Sequence, residues 1–116
     1  MKYYDLTGIE DATSGNKAYI KNLIHLFLNT IPCELEVLKT NFEKSDWENL
    51  GLKAHKIKNT AISFGMKTVA EDLLFIETNC RNATIDKKLF NEKMNNIIQL
   101  TELAILGLQL EYNQYR

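Results

Sequence analysis

The residues whose types and spacing could do chemistry in this chain are His55 and Lys58. They lie three positions apart, so on a helix they share a face, with a ring nitrogen lone pair one turn from a positive charge. Gly51 and Leu52 fall one turn before His55, and Asn59 and Ile62 one and two turns after it. Small and apolar groups thus surround one imidazole and one ammonium, where a merely solvated face would carry more charge. A histidine can also stand beside a lysine by surface accident, and spacing alone does not separate the two readings.

Other chemistries find little support. Bundle enzymes that bind metal build their sites from Glu-x-x-His pairs, but here Asn22 precedes His25 and Leu52 precedes His55 at that interval. Cys33 and Cys80 lie far apart without Cys-x-x-Cys or histidine-rich spacing, so no metal site is expected and both read as small buried residues. His25, between Ile24 and Leu26, reads as a helix residue at the edge of the core. No phosphate-binding loop of the nucleotide-binding type occurs, which leaves no route to phosphorylation from ATP.

The elements that must position His55 follow from periodicity. Apolar residues recur at steps of three and four, with five glycines and one proline in 116 residues, so the chain reads as all-α. Thr7-Gly8-Ile9-Glu10 fits a capping box opening a short N-terminal helix that ends before Thr13-Ser14-Gly15-Asn16. A second helix carries Ile20, Leu23, Ile24, Phe27, Leu28 and Ile31 on one stripe and then meets Pro32, where a break or kink is expected before Leu35, Leu38 and Phe42 face inward. Ser45-Asp46-Trp47-Glu48 is a second capping box, with the serine oxygen as cap. In the helix it starts, Trp47, Leu50, Ala54, Ile57, Ala61 and Phe64 form the seam, and Gly65 suits the left-handed conformation that ends helices. At 100° per residue, His55 points roughly 130° away from that seam, toward solvent.

Another helix is expected from about Lys67 to Cys80, with Val69, Leu73, Ile76 and Cys80 inward, and a last one from about Thr84 to Tyr112, carrying Phe90, Ile97, Ala104 and Leu108. Short connections make neighbours antiparallel. The expected fold is an up-down antiparallel four-helix bundle with a short N-terminal helix, forming one domain over residues 1–116.

Bulk properties bound the partners. Fourteen basic and fifteen acidic side chains leave a net charge of −1, which gives no electrostatic reason to expect nucleic acid or an anionic membrane. The start, Met1-Lys2-Tyr3-Tyr4-Asp5, lacks the apolar run of a signal peptide, and no membrane span is evident, so a cytoplasmic location is expected. The initiating Met1 and the lack of a linker favour a free-standing protein.

The stretch Ala54-His55-Lys56-Ile57-Lys58 followed by Phe64-Gly65 resembles the signature of the histidine-containing phosphotransfer (HPt) domain: a histidine, a lysine three residues on and a glycine ten residues on. Leu26-Phe27-Leu28 leading to Pro32, Ser45-Asp46-Trp47, and Ala70-Glu71-Asp72-Leu73-Leu74 also fall where HPt domains carry similar residues, so the resemblance covers nearly the whole chain. It implies that His55 is a phosphoryl acceptor and that Lys58 places positive charge beside the phosphate. The chemistry agrees, because imidazole is largely uncharged near neutral pH and keeps a lone pair for in-line attack. Phosphoryl transfer needs mainly positioning and electrostatics, so the chain would need no cofactor of its own if a receiver domain supplies Mg²⁺ and the acidic pocket.

The resemblance further implies response-regulator receiver domains and a hybrid sensor histidine kinase as partners, a monomeric carrier with no kinase activity of its own, and partner docking at Gly51, Leu52, Asn59 and Ile62. A tight turn at Gly65 brings Glu77 to the height of His55, where it would accept a hydrogen bond from the ring, unless it is an ordinary surface carboxylate. Arg81, one turn on, would reach phosphate or partner, or be a solvated helix-end residue. Asn59 stands where the family usually has glycine, and a binding module that docks a receiver or kinase without carrying phosphate is the alternative that this departure raises.

Overall fold

The computed structural model describes residues 3–114, of which the great majority are helical, with no strand among them. Five helices follow one another: α1 (Thr7–Ala12), α2 (Lys17–Glu43), α3 (Trp47–Ser63), α4 (Lys67–Arg81) and α5 (Lys87–Gln114). The four long helices close a ring in which α2 meets α3 and α5, and α4 meets α3 and α5. Phe42 packs on Trp47 and Phe27 on Phe64 across α2 and the α3 helix with its C-cap; Phe75 packs on Phe90 and Asp72 pairs with Lys93 across α4 and α5; Lys21 lies over Tyr112 across α2 and α5.

The apolar stripes read from the sequence face one core. Ile20, Ile24, Phe27, Ile31, Leu35 and Leu38 of α2 are buried against Leu50, Ala54, Ile57 and Ala61 of α3, Val69, Leu73 and Ile76 of α4, and Phe90, Ile97, Ala104 and Leu108 of α5. Trp47, expected in the seam, is half-buried, its ring meeting Phe90 edge-on at 6.0 Å.

Four local expectations are corrected. The α2 helix does not break at Pro32: it runs unbroken from Lys17 to Glu43. Proline costs a helix interior about 3 kcal/mol, but the turns on both sides of it bury Phe27, Ile31, Leu35 and Leu38, and that burial outweighs the local penalty. Ser45 is not the cap of α3. Its φ of 55° makes it the left-handed residue that ends α2, where the Asp46 amide donates to the Asn41 carbonyl at 2.9 Å, and Asp46 caps α3 by accepting from the Asn49 amide. Thr7 likewise lies inside α1, and Asp5 accepts from its amide (2.9 Å) and its hydroxyl. The last helix starts at Lys87 rather than near Thr84, because Ala83 sits at a φ of 55° and Asp86 accepts from the Leu89 amide.

Gly65 has a φ of 64°, and the following amide, of Met66, donates to the Ala61 carbonyl at 2.8 Å, the bonding that terminates a helix in a left-handed residue. The N-terminal segment crosses this turn so closely that a Cβ on Gly65 would lie 2.5 Å from the Asp5 carbonyl oxygen. The Asp5 amide also donates to the Phe64 carbonyl (2.9 Å). This fixes the α3–α4 hairpin, and the hairpin sets the height at which residues of the two helices face each other.

Candidate functional site

His55 projects from the solvent side of α3, its side chain 54% exposed, while Ala54 and Ile57 beside it are buried. Across the hairpin, α4 brings up Glu77, whose side chain is only 8% exposed. The surface-carboxylate reading of Glu77 therefore fails. Its Oε2 lies 2.7 Å from His55 Nδ1 and 2.9 Å from Arg81 Nη2, and its Oε1 lies 2.8 Å from Lys58 Nζ.

One carboxylate thus gathers three cationic or proton-donating groups. Burial alone would raise the Glu77 carboxyl, but the hydrogen bonds and charges of Lys58 and His55 outweigh it and hold the group below the usual carboxylate range. An ionised carboxylate only accepts, so the ring must donate from Nδ1. In the neutral imidazole this leaves Nε2, the outer nitrogen, with the lone pair.

Lys58 is mostly enclosed, with 16% of its side chain exposed, so its ammonium is held in place rather than swinging in solvent. Arg81, in the last turn of α4, is 67% exposed and reaches Glu77 from the same helix. Lys56, next to His55 in sequence, does not join the cluster. It pairs with Glu34 of α2 (3.1 Å), which also takes Lys53 (2.9 Å). Those two lysines hold the Glu34 carboxyl below its ordinary range against the upward push of burial.

The remaining candidates surround the imidazole. A groove of about 580 Å³ beside it is lined by Trp47, Gly51, Leu52, Cys80 and Arg81. A second, of about 340 Å³, runs past Lys58 between Ile62 and Leu74. Leu52, Ile62 and Leu74 are exposed, as is Asn59. Gly51 lies at the closest approach of α3 to α4, where a Cβ would stand 3.0 Å from Cys80 Cβ.

Both cysteine expectations are corrected. Cys33, two positions from both Ile31 and Leu35 and so on the other side of α2, is exposed, and Cys80 is half-buried at the rim of the His55 groove, its thiol pushed up by desolvation. His25 is exposed too; its Nε2 lies 2.8 Å from Asn29 Nδ2 and its ring stacks on Tyr112. No group of three or more potential metal ligands occurs among the described residues. Sequence reasoning missed Glu34, Leu74 and the rim residue Trp47. Glu34 lies nineteen positions from Lys53, and no local pattern announces a pair formed only when α2 packs on α3.

The helical bundle thus holds the exposed His55 imidazole between two open grooves, with a buried carboxylate behind it. The family model of the Hpt domain matches residues 22–111, most of the chain, and the chain belongs to that family. Members are phosphocarriers that act in histidine phosphotransfer during two-component signalling, where they interact with receiver domains and kinases. No curated protein and no solved structure matches the chain. No helix among the described residues is long and apolar enough to cross a membrane.

Proposed function

We propose that the chain is a phosphorelay intermediate that accepts a phosphoryl group on His55 from the phospho-aspartate of one receiver domain and passes it to another. The observation that carries this reading is the His55 ring itself, exposed and tethered through Nδ1 to Glu77 at 2.7 Å so that Nε2 faces outward. The Nε2 lone pair forms the N–P bond as the P–O bond of the aspartyl phosphate breaks. The aspartate leaves with that electron pair, and the Nδ1 proton stays on the ring, against Glu77. Lys58 supplies positive charge to the transferred oxygens without being consumed, and Glu77 orients the ring.

In this reading residues 1–116 act as one monomeric cytoplasmic module, an up-down antiparallel four-helix bundle without kinase activity or cofactor of its own. The receiver supplies Mg²⁺, and a hybrid sensor kinase stands upstream of the donor. Gly51, Leu52, Asn59 and Ile62 form the docking face, with Arg81 at its rim. The exposed apolar side chains of Leu52 and Ile62 on either side of the imidazole support that assignment, since such groups gain by being covered.

Incubation with a receiver domain charged by acetyl phosphate tests the proposal. The unaltered chain acquires acid-labile phosphate, His25→Gln does so equally, and His55→Gln does not. The alternative is a module that docks without accepting phosphate. It draws on Asn59, exposed one turn beyond His55, whose side chain stands in the way of a close-fitting loop. Under that alternative, the receiver binds but neither histidine is labelled.

A further inference from the structure

The Glu77 carboxylate does more than orient a ring, because two of its three contacts go to Lys58 and Arg81, cations that share the carboxylate with the acceptor. We propose that Glu77 is a positioning residue that limits how strongly His55 holds its phosphoryl group, by keeping Lys58 and Arg81 engaged, and so makes the chain a ready donor to the next receiver. This rests on the phosphocarrier reading and adds to it the direction in which the group runs.

Charge sets how strongly the phosphoryl group is held. With the imidazole neutral, Glu77, Lys58 and Arg81 give the cluster a net charge of +1. Transfer adds one negative charge: a phosphorus–nitrogen bond forms, the donor aspartate leaves as a carboxylate, and the ring keeps its Nδ1 proton. The arriving phosphoryl oxygens compete with Glu77 for the same two cations, and Glu77 holds them at 2.8 and 2.9 Å from an enclosed position. Lys56 and Lys53 cannot substitute, because Glu34 holds both. A neutral glutamine at position 77 would still accept from Nδ1–H and keep the ring oriented. It would also raise the cluster's net charge by one and release both cations toward the phosphate.

The test is the equilibrium partition of phosphoryl between the chain and a receiver domain charged with acetyl phosphate in the presence of Mg²⁺. Glu77→Gln shifts the partition toward phospho-His55 by roughly tenfold, the low end of what one neighbouring unit charge does to a charged equilibrium. Arg81→Gln, on the exposed surface, is read alone and in the Glu77→Gln background, and its effect alone stays readable even where Glu77→Gln fails to fold. In the unaltered chain it lowers the partition by well under tenfold, because Glu77 keeps Arg81 occupied; in the Glu77→Gln background the same change lowers it severalfold more. A purely structural Glu77 would not make the effect of Arg81 depend on the residue at 77.

An unchanged or lowered partition in folded Glu77→Gln overturns the inference, as does a tenfold loss from Arg81→Gln alone. In either case His55 remains the carrier. Only failure of the unaltered chain to accept phosphate brings down the carrier reading itself, and this inference with it.

Discussion

Glu77 stays ionised while almost enclosed because the groups around it more than offset the loss of water. That arrangement has a pH signature with a definite sign. Glu77 and Glu34 both titrate below the ordinary carboxylate range in the fold, so at mildly acidic pH the unfolded chain binds more protons than the folded one. The stability they contribute is complete above the unfolded-state pKa and is lost as pH falls from there through the folded-state values. Glu77→Gln removes one of these groups, so its urea midpoint should fall less steeply than the parent's between about pH 5 and about pH 3. An equally steep fall would mean that the cluster is not coupled to folding.

At the scale of elements, the α3–α4 hairpin decides whether the imidazole meets its carboxylate at all. The left-handed Gly65 sets the register that puts position 55 opposite 77, and Gly51 lets the two helices close to the distance that register needs. Glycine in a helix interior costs about 0.5 to 1 kcal/mol relative to alanine, so its use at 51 points to spacing rather than propensity. Gly51→Val, whose branched side chain collides with Cys80, is expected to lower stability by about 1 to 3 kcal/mol in chemical denaturation. An unchanged midpoint would show that the hairpin has room to spare. The hairpin was legible from residue types, since a helix-ending glycine with apolar seams on both sides implies two facing helices. The caps were less so: serine and aspartate both cap helices, and only the backbone shows that Ser45 closes α2 while Asp46 opens α3.

At the scale of the whole molecule, the core shows why the bundle was readable and the finer pairings were not. Burial of one stripe per helix imposes a period that any sequence reading can find, and it placed His55 outside because the seam residues around it had to be inside. The break expected at Pro32 fails for the opposite reason: its local penalty is visible in the sequence, whereas the burial that keeps α2 continuous belongs to the assembled bundle. The same core holds two polar groups that no pattern announced. Asp72 pairs one oxygen with Lys93 at 3.2 Å, while its Oδ2 is buried without a partner, and Thr101 is buried with its hydroxyl unpaired. An unpaired buried hydroxyl costs stability, so Thr101→Val should raise it by about 1 kcal/mol, read as a higher urea midpoint. A loss would show that the hydroxyl is satisfied in solution.

In the proposed relay, one ring nitrogen of one histidine carries the phosphoryl group. Phosphorus–nitrogen correlation by nuclear magnetic resonance on the ¹⁵N-labelled chain, after charging by a phosphorylated receiver, tests it most directly. Phosphorus is expected on Nε2 of His55, with the Nδ1 proton still directed at Glu77. Phosphorus on His25, on Nδ1 of His55, or on neither histidine would contradict it.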